Sequence, residues 1–113
     1  MKIDELFPIP TMKASFKLAS FKLIPKKSGC YVLTTFEKDI LYIGRSKNLY
    51  CRFQQHLDNP EKTDKTPEGR VFWFYFLLYD EENLPRLERT WLNKFNTSNG
   101  KNPILNKISS SIL

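Results

Sequence analysis

The chain has 113 residues, is 41% hydrophobic and 14% aromatic, and carries 18 Lys and Arg against 12 Asp and Glu for a net charge of +6. That is the length of one domain and too apolar for a disordered chain. Its longest apolar run, Val71 to Tyr79, is under half of what a membrane-spanning helix needs, so no membrane partner is expected. The start shows no basic stretch followed by an apolar one, hence no secretory signal, and a compact basic domain often meets a polyanion, nucleic acid above all.

Residues 1–27 hold Lys2, Lys13, Lys17, Lys22, Lys26 and Lys27 against Asp4 and Glu5 alone, and Pro8, Pro10 and Pro25 interrupt them. The middle repeats a short Ala-Ser-Phe-Lys-Leu unit whose apolar positions fit no single period. Residues 1–22 are therefore read as a basic lead-in, a short helix or extended, ahead of a domain over 23–108. Gly29 to Phe36 is rich in β-branched and aromatic residues, Glu37-Lys38-Asp39 is polar, and Ile40 to Gly44 is apolar again, which predicts a β-hairpin. Ser46 to Leu57 is a predicted helix capped by Ser46 or Asn48, with Leu49, Phe53 and Leu57 on one stripe. Asp58 to Gly69 is a polar loop. Arg70 to Tyr79 is apolar on both faces and predicts a central strand. Asn83 caps a further helix with Pro85 in its first turn, running to Phe95. Thr97 to Asn102 is a loop, and Pro103 to Ile108 a last short helix. The order predicts an α+β domain, β-β-α-β-α, with a three-stranded antiparallel-type sheet flanked by helices. Cys30 and Cys51 lack metal-ligand spacing and are expected to be reduced, largely buried thiols of an intracellular protein.

Several residues carry possible chemistry. An even-length hairpin turn places Tyr31 opposite Gly44 and Tyr42 opposite Leu33, with both phenols on one face; an odd turn separates them. Two such tyrosines are commonly no more than a packed aromatic pair. Arg52 and His56 lie four apart and share a helical face. An Arg can hold a phosphate in bidentate fashion, and the chain's one His can move a proton. Glu88 is bordered in helical spacing by Leu84, Trp91 and Leu92, and a carboxylate at a core edge needs a partner: a divalent cation, or Arg52 or Arg45. Asn106 by itself reads as a cap or turn residue.

Taken together these residues resemble the GIY-YIG nuclease family. Its first motif reads here Gly29-Cys30-Tyr31 and its second Tyr42-Ile43-Gly44. The stretch "SKNLYCRFQQH" looks like the family helix bearing Arg52 and His56, Glu88 in "LERTWLNKF" fits the metal-binding glutamate, and "PILN" ends on Asn106. The resemblance spans residues 23 to 107. Cys30 departs from the usual aliphatic residue and is expected to face the core, away from Tyr31. The resemblance implies phosphodiester hydrolysis with one divalent metal per active site, Mg²⁺ or Mn²⁺, held by Glu88. It also implies Tyr31 as general base, as a phenolate or through a relay with His56, with Arg52 on the scissile phosphate, Tyr42 orienting water or phosphate, and Asn106 bracing the site. Lys22, Lys26, Lys27, Arg45, Lys47, Lys94 and Lys101 form the basic face that would meet phosphates.

The resulting expectation is a metal-dependent endonuclease acting on duplex, branched or single-stranded DNA, of low sequence specificity or selective for structure. It would sit in a prokaryotic or phage-encoded cytoplasmic setting. The alternatives are a nucleic-acid-binding module that does not cut, or a catalytic subunit that takes its specificity from a partner. A homodimer is one way to cut both strands.

Overall fold

The computed structural model describes residues 1–106. Four strands, β1 (Met12–Ser15), β2 (Gly29–Thr34), β3 (Ile40–Ser46) and β4 (Trp73–Leu78), form one antiparallel sheet in the order β1-β4-β2-β3. The helices are α1 (Leu49–Leu57), α2 (Pro60–Thr63) and α3 (Leu84–Asn99), with 3-10 segments at Ile3–Glu5, Leu18–Leu23 and Glu81–Asn83. The sheet has one strand more than the three expected. The extra strand, β1, lies in the basic lead-in. It buries only Ala14, so it carries no alternation to betray it, and it exists through pairing with Trp73–Phe76 of β4.

Every residue of β2 is buried, because the sheet is covered on both faces. On one face Cys30, Val32, Ile43 and Tyr75 pack against Leu84, Leu87, Trp91 and Phe95 of α3, with Ile3 and Leu6 closing the layer. On the other, Tyr31, Leu33, Leu41, Phe74 and Phe76 pack against Leu49 and Phe53 of α1 and Ile24. Among the described residues no helix is long and apolar enough to cross a membrane.

The hairpin turn has odd length. Thr34 pairs with Ile40, which leaves five residues in the turn, with Lys38 in the left-handed region at φ 74°. A two-residue turn would pair Phe36 with Asp39; here the Thr35 amide donates to the Asp39 carbonyl instead. Leu33 nevertheless pairs with Tyr42 and Tyr31 with Gly44, because one extra β3 residue forms a bulge there. The bulge restores the parity that the turn breaks. The outer edge of β3 is covered at its start: the Ile40 amide donates to the Met1 carbonyl and the Leu105 amide to the Leu41 carbonyl, both at 2.9 Å.

Helix boundaries follow local caps. Asn48, not Ser46, caps α1, its Oδ1 accepting from the Cys51 amide at 3.1 Å, while Ser46 still belongs to β3. Asn83 stands at the N-cap position of α3, but its amide group donates to Asp80. Pro85 sits in the first turn, and the helix continues past Phe95 through the expected loop until Gly100, at φ 76°, supplies the left-handed cap. The expected polar loop contains α2, started by Asn59 with Pro60 at its first position. Pro103 to Asn106 make a turn closed by the Asn106 amide on the Pro103 carbonyl, and the rest of the short helix expected to Ile108 lies outside the described residues.

Gly29 is placed by close packing. A Cβ there would lie 2.5 Å from the Leu77 carbonyl oxygen and 2.8 Å from Leu49 Cδ1. Backbone in a sheet interior cannot step aside, so Gly29→Ala is expected to cost about 1–3 kcal/mol. Equilibrium urea unfolding checks this; an unchanged midpoint would contradict the packing argument.

Candidate active site

The repaired register brings Tyr31, Tyr42 and Gly44 to the α1 face of the sheet. A Cβ on Gly44 would stand 2.6 Å from both Cζ and Oη of Tyr31, so this glycine is the space in which the phenol lies. Tyr31 is fully buried, stacked on Phe74 at 5.0 Å, with the Tyr42 ring at 5.9 Å. His56, on the last turn of α1, closes the group: its Nε2 lies 2.6 Å from Tyr31 Oη, and its ring is edge-on to Tyr42 at 5.3 Å.

Arg52 projects from the same helix one turn earlier. Its Nη1 donates to the Arg45 carbonyl at 3.3 Å, and its charge acts on both phenols. Glu88 arrives from α3, on the opposite side of the sheet. Arg45 lies at the end of β3, and its Nη1 meets Glu88 Oε1 at 3.3 Å. The Glu88 side chain keeps 24% of its surface exposed. Beside these residues an open groove of about 410 Å³ is lined by Arg45, Ser46, Lys47, Asn48, Cys51, Arg52 and Gln55. Asn106 stands behind β3 and makes two bonds to one residue: its Oδ1 accepts from the Ile43 amide at 2.9 Å, and its Nδ2 donates to the Ile43 carbonyl at 2.8 Å. It braces the strand between Tyr42 and Gly44 and does not enter the groove lining.

Burial dominates the titration of this group. It pushes the Tyr31 phenol well above its ordinary value, Tyr42 adding to the rise and Arg52 opposing it. Tyr42 is also raised by burial. His56 is pulled down to about 3, by burial first and then by the Lys62 and Arg52 charges. The 2.6 Å bond therefore joins a neutral phenol and a neutral imidazole, a pair that can pass a proton without either member starting charged. Glu88 is raised by burial, while Arg45 and Arg52 hold it down.

Glu88 is the one carboxylate at this site that could hold a metal, and among the described residues no three His, Cys, Asp or Glu side chains gather. The donor set fits Mg²⁺, which commonly takes one or two carboxylates and fills its octahedron with water and phosphate oxygens. A half-buried carboxylate with a raised pKa, engaged only by a long bond through Oε1, would gain from such a cation.

Of the expected basic residues, Arg45 and Lys47 line the groove. Lys26 lies over the Tyr50 ring at 5.0 Å, and the Lys27 carbonyl receives the Leu49 amide. Lys94 and Lys101 are not brought to the groove: Lys94 is exposed farther along α3, and Lys101 pairs with Glu68, beside the hairpin turn. Cys30 faces the α3 core as expected, its thiol pushed up to about 12 chiefly by burial, but Cys51 is exposed in the groove wall rather than buried. One residue escaped the sequence reading. Lys62, 3% exposed, is carried by α2 and sets its ammonium 4.9 Å from the Tyr42 ring centroid. Its only signal was the Asn59-Pro60 start of that helix, within a stretch that looks like polar loop.

Neutral burial of His56 makes stability depend on acid. The unfolded chain binds a proton near pH 6.5 and the native state only near 3, so this contribution is complete above 6.5 and is lost as pH falls between those values. The slope from this one group approaches about 1.4 kcal/mol per pH unit. Urea midpoints measured from pH 7 to pH 4 should decline in the wild type, and His56→Gln should flatten that decline; equal slopes would mean that the imidazole is not buried neutral.

Comparison with known proteins bears on the family and the fold. The family model described as the GIY-YIG catalytic domain matches residues 27–102. The UvrABC system protein C of Mycoplasmoides gallisepticum is 38% identical over 63 residues, 54% of this chain and 10% of that protein. That of Mycoplasma genitalium is 32% identical over 76 residues, 66% of this chain and 13% of that protein. The chain thus spans about a tenth of the length of these relatives. Among solved structures, the GIY-YIG N-terminal endonuclease domain of UvrC from Thermotoga maritima, as two point mutants bound to the catalytic divalent cation, superposes with a TM-score of 0.57. The two are 20% and 21% identical and cover 79% of this chain and 92% of that one. Matched over more than half of its residues and sharing the fold, the chain belongs to the family of GIY-YIG catalytic domains, a nuclease family.

Proposed function

We propose that the chain is a divalent-metal-dependent endonuclease that hydrolyses phosphodiester bonds in DNA, with low sequence specificity or a preference for DNA structure. The observation that supports this reading most is the buried Tyr31–His56 bond of 2.6 Å, with Arg52 one helical turn before His56 lining an open groove together with Arg45, the partner of Glu88. A divalent cation, Mg²⁺ or Mn²⁺ at one per site, would be held by Glu88 and supply charge stabilisation to the phosphate and the leaving oxygen.

The chain's own residues account for the remaining steps. Arg52 holds the scissile phosphate and the charge that grows on its oxygens. Tyr31 Oη accepts a proton from the attacking water while its own proton passes to His56 Nε2. The charge balance favours that transfer once substrate is in place: Arg52 is one of the cations that depress His56, and a bound phosphate offsets it. Tyr42, less buried than Tyr31, orients the water or the phosphate. Asn106 keeps β3 in register through Ile43.

Incubating the protein with plasmid, linear duplex, single-stranded and branched DNA tests the reading. Cleavage should require Mg²⁺ or Mn²⁺, stop in EDTA and vanish in Glu88→Ala. Tyr31→Phe should retain the fold and lose about 10²–10⁴ in turnover; a fully active variant would remove Tyr31 from the role of base. Salt-dependent DNA binding with no cleavage under any of these conditions would favour a binding module or a partner-dependent subunit. The relatives' name, protein C of a UvrABC system, is the observation in favour of a partner.

A further inference from the structure

The Phe-Lys-Leu echo in the lead-in acquires a meaning in the fold. In both copies the phenylalanine turns inward: Phe16 packs edge-on to Phe53 at 5.7 Å, and Phe21 meets Tyr50 at 6.1 Å, both partners on α1. In both copies the lysine and leucine turn outward. Leu18 is 71% exposed and Leu23 65%, with Lys17 and Lys22 exposed beside them. This display is not a loose tail. Ser15 and Ser20 share a hydrogen bond of 2.7 Å, Ile24 is buried, and the carbonyls of Pro25 and Lys27 accept from the first two amides of α1. The 3-10 segment therefore flanks α1 on one side, while the groove lies along its other side.

Its charge is of one sign. From Leu6 to Phe36 the chain has no Asp or Glu and five lysines, Lys13, Lys17, Lys22, Lys26 and Lys27. Single exposed leucines are ordinary. Two leucines on an anchored turn, each next to a lysine, have the composition of a wedge that meets a nucleic-acid groove while cations hold the phosphates.

We propose that the Leu18–Leu23 segment is a second DNA contact, in which Lys17, Lys22, Lys26 and Lys27 bind backbone phosphates and Leu18 and Leu23 press against the bases, favouring DNA whose bases are already unstacked. The proposal rests on the DNA reading given above. It commits to DNA rather than to a lipid surface because the groove on the other side of α1 is itself lined by Arg45, Lys47 and Arg52, so both flanks of the helix present cations suited to phosphates.

The test is fluorescence anisotropy in EDTA, so that binding is read without cleavage, with a labelled duplex and the same duplex carrying central unpaired bases. Lys17→Gln/Lys22→Gln should weaken binding to both DNAs and lower the log–log salt slope by about 1.8, two phosphate contacts' worth. Leu18→Ser/Leu23→Ser should leave the slope unchanged and weaken binding several-fold, more for the DNA with unpaired bases. The side chains are exposed, so thermal midpoints should stay at the wild-type value. Wild-type affinity in both double variants, with Lys47→Ala weakened, would overturn this contact and leave the DNA reading standing. No DNA binding by the wild type would remove the DNA reading itself. Loss of binding by the leucine variant to phosphatidylserine vesicles, with DNA affinity unchanged, would overturn the proposal in favour of lipid.

Discussion

The site depends on the register of the β2–β3 hairpin. A strand exposes alternate residues on opposite faces, so a one-residue slip would send Tyr31 and Tyr42 to different layers, one under α1 and the other under α3. The five-residue turn by itself imposes that slip, and the bulge before Tyr42 cancels it. Two glycines and an asparagine then hold the result. Gly29 lets β2 approach β4 closely, and Gly44 leaves the volume that the Tyr31 phenol fills. Asn106 bonds both polar groups of Ile43, so β3 cannot slide without losing two hydrogen bonds at the buried edge of the site. Each tyrosine is adjacent to one of these fixed points, and the glycine of each tripeptide motif has a steric reason to lack a side chain.

Fixing the phenols in a packed layer brings an electrostatic consequence. Tyr31, Tyr42 and His56 are all pushed toward their neutral forms by burial. The cations at the boundary act in two senses: Arg52 opposes burial at the two phenols, while Arg52 and Lys62 reinforce it at His56. A neutral phenol–imidazole pair enclosed in low dielectric is thus bordered by positive charge. In the proposed mechanism an incoming phosphate would offset the Arg52 charge that depresses His56, which would couple substrate binding to proton transfer. Glu88 does not spoil this arrangement, because it approaches from the α3 layer and is already engaged by Arg45.

Much of this could be read from the residues. The apolar runs of β2 and β4 announce strands buried on both faces, the stripe of α1 announces its packing side, and the i, i+4 spacing of Arg52 and His56 places them together. The face shared by the tyrosines was legible only as a choice between turn parities, since a bulge leaves no mark in a pattern of apolar residues. Strand β1 was illegible because only Ala14 faces inward and the rest of its order comes from pairing. Lys62 was illegible for a related reason: nothing local distinguishes a lysine laid over an aromatic ring from one in solvent. Lys94 and Lys101 read as part of a basic face, but one stays exposed along α3 and the other pairs with Glu68, because charge counts carry no direction.

The lead-in shows the opposite case, in which a pattern without a period still encodes structure. A helix would place residues five apart on different sides, and a strand would do the same. The echo instead repeats at the spacing between an extended strand end and a 3-10 turn, so Phe16 and Phe21 both reach α1 although they belong to different elements. Once the phenylalanines are seated, the Lys-Leu pairs have nowhere to go but outward. Their exposure is therefore a consequence of anchoring, and an anchored display of lysine and leucine can grip a partner without paying to order itself first. The same two carbonyls that tie the segment to α1, those of Pro25 and Lys27, also satisfy amides at the start of the helix that carries Arg52 and His56. The outer surface and the inner proton-transfer pair thus share one rigid support.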